Sequence, residues 1–171
     1  MMPKKIDHGK RFEEDFKKSV PDHWYYRRFK DSAGAWAGGE KTRFTASNEC
    51  DCLIFNTDTG ILFGLELKSF KGKSMPYKNM NDPKGKKLEK MIDINNKNRC
   101  VSGYVLNFRD LGETYFVNTC NIVLLIERRD RKSFAYSDIV FLGLRIPQAL
   151  KKVRYKYDIE RIYNRIGYNE S

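Results

Sequence analysis

Apolar residues along this chain recur at two periods, and the change from one to the other marks out its elements. Phe12, Phe16 and Val20 fall at helical spacing and predict a helix over residues 9–19, with Glu13, Glu14 and Asp15 enriching its early turns and Pro21 ending it. His23 to Phe29 is crowded with aromatics and reads as a strand. Residues 31–48 hold Gly34, Gly38 and Gly39 among small side chains and read as a mobile arm. Cys52 to Asn56 and Ile61 to Lys68 are two more strands, and Thr57-Asp58-Thr59-Gly60 between them has the composition of a turn, so the pair is a hairpin. Residues 70–87 are basic and broken by Gly72, Pro76, Pro83 and Gly85. A helix is expected from about Lys86 to Asn96, with Leu88, Met91 and Ile92 facing the core. Val101 to Phe108 and Glu113 to Val117 are strands around a turn at Asp110-Leu111-Gly112. Cys120 to Arg128 is apolar and favours a helix, and Tyr157 to Ile166 reads as a C-terminal helix. This order defines an α/β domain with a mixed central sheet.

Composition narrows the class. A length of 171 residues fits one domain over 1–171, and 40% hydrophobic with 32% charged residues is a globular balance. No apolar run approaches the roughly 18 residues of a membrane span. Met1-Met2-Pro3-Lys4-Lys5 leads into no apolar stretch, so a cytoplasmic protein is expected. There the thiols of Cys50, Cys52, Cys100 and Cys120 would be reduced. Cys50 and Cys52 form C-x-C rather than the C-x-x-C of zinc and redox sites; buried thiols filling core space are the simpler reading, a metal site the other. The net charge of +11, from 33 Lys and Arg against 22 Asp and Glu, points to a polyanionic partner, and nucleic acid is the commonest.

The hairpin carries the chemistry. A turn centred between Asp58 and Thr59 places Asp51 opposite Glu66, and strand alternation puts Glu66 and Lys68 on one face. Two carboxylates and an ammonium then converge. Carboxylates hold Mg²⁺ or Mn²⁺ through oxygen, and such an ion polarises a phosphoryl group and acidifies its bound water. A nearby lysine orients that water or offsets charge in the transition state. The carbonyl of Leu67 is a further candidate ligand. At a solvated surface the same three residues would be an ion-pair cluster of small consequence. Here Phe63, Leu65 and Leu67 take one face while Leu53, Phe55 and Leu62 share the acids' face, so the strand is apolar on both sides and central. Charges on such a strand need partners, and a metal supplies one.

These residues resemble the PD-(D/E)xK motif, with Asp51 as its aspartate and Glu66-Leu67-Lys68 as its E-x-K. The surrounding layout is similar to that of RecU-type Holliday-junction resolvases and their phage relatives. Gly9-Lys10-Arg11-Phe12-Glu13-Glu14-Asp15-Phe16 resembles their G-x-x-Φ-E-x-x-Φ helix, Ser47 to Cys52 the approach to their aspartate, LELKSFKGKSMP from Leu65 to Pro76 their E-x-K strand and basic loop, and YDIERIY their last helix. The resemblance implies a restriction-endonuclease-like α/β fold, a mixed sheet flanked by helices. It further implies a homodimeric, Mg²⁺-dependent endonuclease that resolves four-way junctions in DNA recombination and repair, in a bacterial or phage-infected cell. Asp51 and Glu66 would be metal ligands, Lys68 the transition-state stabiliser, and Glu13 the carboxylate reaching the site from the first helix. The sequence departs from the pattern in having Glu49 where a threonine is common, His8 where an arginine is common, and no glutamine in Pro83-Lys84-Gly85-Lys86-Lys87, where Lys87 is the nearest match. Residues 31–48 stand in for the family's junction-entering stalk as a reduced arm.

Lys71, Lys73, Lys84, Lys86 and Lys87 flank the expected site and are candidate phosphate contacts; Arg27, Arg28, Lys30, Lys41 and Arg43 border the arm and are candidates to follow the DNA. Trp36 would wedge at a branch point or pack on a dimer partner. Two other readings stay open at this point: a nuclease of the same fold acting on other branched or duplex DNA, and a non-catalytic basic DNA-binding accessory protein.

Overall fold

In the computed structural model, which describes residues 6–29, 48–80, 86–128, 132–147 and 157–159, the first helix α1 spans His8–Ser19. Its N-terminus is capped by the Asp7 side chain, which accepts from the Lys10 amide at 3.1 Å. Glu13, Glu14 and Asp15 lie beyond the first turn, so the cap and not the acidic run starts the helix. Phe12 and Phe16 turn inward, one helical turn apart.

Strand β1 (Tyr25–Arg28) is shorter than its aromatic content suggests, because Trp24 folds into the core and its indole N–H donates to Asp58 at 2.8 Å. Strands β2 (Cys52–Asn56) and β3 (Ile61–Phe70) form the predicted hairpin, paired from Cys52 with Leu65 to Asn56 with Ile61. The turn is held by Asn56 Oδ1, which accepts from the amides of Asp58 and Thr59, and by Gly60 at a φ of 72° that a side chain would disfavour.

The basic stretch that follows is more than a loop. It contains β4 (Ser74–Pro76) and a single 3₁₀ turn at Tyr77–Asn79. Helix α2 (Lys86–Asn95) then leads to β5 (Cys100–Phe108), which lies parallel to β3. β6 (Glu113–Asn118) and α3 (Thr119–Arg128) match expectation. Three short elements were not expected: β7 (Ser133–Ala135), which pairs with β4 so that Met75 lies opposite Phe134, α4 (Tyr136–Leu142) and β8 (Leu144–Ile146).

Among the described residues the main sheet has six strands in the order β1-β2-β3-β5-β6-β8, antiparallel except for the β3–β5 pair. On one face α1, with Tyr157 and Ile159, covers Cys52, Ile54, Phe63, Leu65, Leu67 and Val105. On the other, Met91, Ile94, Ile122, Leu125 and Ile139 from the later helices cover Tyr104, Leu106 and Val117. This is the α/β arrangement of a mixed sheet between helices that the resemblance implied. β3 is walled in on both faces, and a side chain such as Phe63, fully buried there, contributes roughly 1.5–3 kcal/mol. Apart from Asn48, the arm expected at 31–48 lies outside the described residues, as does the C-terminal helix beyond Ile159. Among the described residues, no helix is long and apolar enough to cross a membrane.

Candidate active site

The register of the hairpin decides where the charges fall. Cys52 and Leu65 share the α1 face, so Glu66 projects from the opposite face, under α2, with Tyr104 as its neighbour on β5. Its side chain is 0% exposed. Asp51 stands one residue before β2 with its main chain held from both sides: its amide donates to the Leu65 carbonyl at 3.0 Å, and its carbonyl accepts from the Phe29 amide at 2.9 Å. Its carboxylate then takes the place of the next ladder carbonyl, Oδ2 accepting from the Leu67 amide at 2.8 Å.

Two ammonium groups meet this pair. Lys68 Nζ lies 2.6 Å from Glu66 Oε1. Lys87 Nζ, from the first turn of α2, lies 2.7 Å from the same oxygen and 3.8 Å from Asp51 Oδ1. The acids are thus close enough for one cation to touch both. Glu66 Oε2 is buried and has no hydrogen-bond partner, an expensive condition for a carboxylate oxygen.

The surroundings raise the cost of charge. Burial, followed by the neighbouring Glu66 carboxylate, pushes the Asp51 carboxyl up to about 6, against the opposing pull of Lys68, the Leu67 amide and Lys87. The Cys50 thiol is pushed up to about 12, first by burial and then by Glu66 and Asp51. Cys52 is raised well above the usual thiol value, chiefly by burial, so both are inert core groups. Tyr104 is likewise held protonated by burial and the two carboxylates, and donates to the Met80 carbonyl at 2.9 Å.

The donor set suits a hard divalent cation. No cluster of three His, Cys, Asp or Glu side chains occurs among the described residues, so the side-chain ligands would be two carboxylates. The Leu67 amide faces the β2 side of the strand, and in a ladder the carbonyl of the same residue faces that side too. Carboxylate and carbonyl oxygens are the ligands Mg²⁺ and Mn²⁺ prefer, and the unpartnered Glu66 Oε2 is the atom such an ion would satisfy.

Gly64 explains how α2 comes so near. It lies two residues before Glu66 on the same face, and a Cβ there would stand 3.0 Å from Cδ1 and 3.2 Å from Cγ2 of Ile94. The helix therefore rests on bare backbone. Lys87, Met91 and Ile94 recur at i, i+4 and i+7, so the stripe that buries Met91 and Ile94 carries Lys87 down onto the acids. The expected stripe of Leu88, Met91 and Ile92 was rotated from this one; Leu88 and Ile92 are only half-buried.

The other sequence candidates are spread more widely. Lys87, expected among the DNA-facing lysines, instead turns inward to the carboxylates, because its helix face packs on the sheet. Glu13 forms an ion pair with Arg28, and Arg28 pairs with Cys52 in the ladder, so both lie on the α1 side, opposite Glu66. Arg27 projects to the other side, its guanidinium 5.6 Å from the centre of the Phe29 ring. Lys71 is exposed and lines a cleft of about 420 Å³ with His8, Arg11, Ser69, Asn107 and Arg109, beyond the end of β3 that carries Lys68. Lys73 is exposed, as is Lys86 at the start of α2. Lys30, Trp36, Lys41, Arg43 and Lys84 lie outside the described residues.

No family model matches the chain. No curated protein matches it either. Among solved structures it is similar to Hjc of Archaeoglobus fulgidus, described as a Holliday junction resolvase from an archaeal hyperthermophile, at 17% identity and a TM-score of 0.48, over 80% of this chain and 95% of that one.

Proposed function

We propose that this chain is a metal-dependent endodeoxyribonuclease that cuts four-way DNA junctions as a homodimer. One observation carries the nuclease reading: on a central strand, a fully buried Glu66 keeps one carboxylate oxygen unpartnered beside Asp51 and Lys68. Asp51, Glu66 and the Leu67 carbonyl would hold Mg²⁺ or Mn²⁺. When bound, such an ion supplies Lewis acidity to a phosphoryl oxygen and a more acidic water. Lys68, whose side chain is 32% exposed and whose ammonium pairs with Glu66, would offset the negative charge that develops on a phosphoryl oxygen. Through Arg28, Glu13 braces β1, whose continuation at Phe29 holds the Asp51 carbonyl; this makes it a positioning residue. The excess of +11 draws DNA, with Lys71, Lys73, Lys86 and Arg27 as phosphate contacts and Lys30, Lys41, Arg43 and Lys84 as further ones. The choice of four-way junctions rests on the joint order of the sequence motifs from Gly9 to the YDIERIY segment.

A second reading, a non-catalytic DNA-binding accessory protein, is favoured by the lysines that already neutralise both acids. Incubation with Mg²⁺ and a mobile four-way junction separates the two. Paired symmetric nicks that Asp51→Asn abolishes, with junction binding retained, are the expected result. Equal cutting of plain duplex would reject junction selectivity, and absence of any metal-dependent cutting would leave the accessory reading.

A further inference from the structure

We propose that the Lys87 ammonium is the resident cation of the metal-free site and that a divalent ion enters by displacing it. This rests on the nuclease reading above. Lys87 reaches across from α2 to within ion-pair distance of both acids, at 2.7 Å from Glu66 and 3.8 Å from Asp51, whereas Lys68 meets Glu66 at 2.6 Å from its own strand and also pulls on Asp51. It therefore sits where a shared ion would sit, and its compact positive charge is the nearest that a side chain offers to such an ion.

Charge balance gives the displacement its direction. Asp51, Glu66, Lys68 and Lys87 cancel formally, which is how a fully buried Glu66 is tolerated without metal. A divalent ion added with Lys87 in place leaves two excess positive charges in a poorly solvated pocket. With Lys87 withdrawn the excess is one, which the single negative charge of a phosphodiester matches. Metal occupancy and arrival of the DNA backbone are thereby linked through one side chain.

The route out is local. α2 is fixed where Ile94 rests on Gly64, so the helix need not move. The Lys87 side chain is 18% exposed and turns on a flexible four-carbon stem, so rotation takes its charge to solvent. Lys68 stays behind on Glu66.

The test uses the full chain without DNA and measures Mn²⁺ affinity by titration calorimetry. Lys87→Gln is expected to bind Mn²⁺ at least tenfold more tightly than the wild type, and Lys87→Arg to remain near it. Equal or weaker binding by Lys87→Gln overturns the proposal. A second measurement needs no variant: acetylation of Lys87, read by mass spectrometry against exposed Lys86, should rise severalfold when Mn²⁺ is added. A constant ratio in the presence of bound Mn²⁺ also overturns it. The nuclease reading is judged separately, by whether wild-type Mn²⁺ binding vanishes in Asp51→Asn; if the wild type binds no Mn²⁺ at all, both fall.

Discussion

Asp58 at the turn of the β2–β3 hairpin and Asp51 at its open end carry the same side chain in opposite surroundings. Asp58 is exposed, and its Oδ2 accepts from the Trp24 indole at 2.8 Å and meets His23 Nε2 at 3.0 Å. Those hydrogen bonds, Trp24 first, hold its carboxyl below the usual aspartate value. Asp51 is set against a second carboxylate in a buried corner and is raised to about 6. A carboxylate that ties two segments together is given hydrogen-bond donors from the facing one. One set beside a second carboxylate is left needing positive charge, and the fold tolerates the cost with lysines.

Substitution at the two positions should separate them most. Asp51→Asn or Glu66→Gln is expected to lower single-turnover junction cutting at least about a hundredfold, the scale of losing a transition-state electrostatic partner. Asp58→Asn should stay within about twofold, as surface changes do. Comparable losses at both ends would erase the distinction. The next effect concerns how the open end is built. Gly64→Ala forces a methyl against Ile94 and should destabilise the protein by about 1–3 kcal/mol, read as a lower urea midpoint. An unchanged midpoint would mean that α2 yields freely and that Lys87 is not held down by it.

The pH dependence of metal-free stability is the finest of these contrasts. The folded Asp51 carboxyl titrates above its unfolded value, so between about pH 4 and 6 the native state binds the extra proton. Stability in EDTA should therefore fall as pH rises through that window, by on the order of 2 kcal/mol, and level off above it. Asp58 tilts the other way: its depressed value adds stability above the ordinary aspartate range that fades as pH falls through it. Denaturant midpoints across pH 3–8 should show the decline removed by Asp51→Asn and kept by Asp58→Asn. A decline that survives Asp51→Asn would assign it to another group.

The hairpin was legible because two apolar runs flank a four-residue turn, which fixes the partners from Cys52–Leu65 to Asn56–Ile61; Asp51 lies one residue outside that register, its amide bonded to the Leu65 carbonyl instead of pairing with Glu66. Lys87 was not, because its position depends on the contact between Gly64 and Ile94, which no local pattern announces. The i, i+4, i+7 spacing of Lys87, Met91 and Ile94 was a readable signal, but a lysine does not register as part of an apolar stripe. The β4–β7 ribbon was hidden for another reason: three-residue strands far apart in sequence carry too little alternation, and Pro76 reads as a breaker. The Glu13–Arg28 pair joins a helix to an edge strand, and helix periodicity says nothing of what lies across a sheet.

The formal neutrality of the four charged groups at the acid pair bears on how fast a partner is found. Removing them from the chain leaves its excess of +11 untouched, so the field felt by an approaching polyanion is generated by other residues. Capture rate of a polyanion should then depend on ionic strength in the same way for the wild type and for a form in which all four groups are replaced by neutral ones, whereas amidating the two acids alone would leave both lysine charges uncancelled, raise the excess and speed capture at low salt.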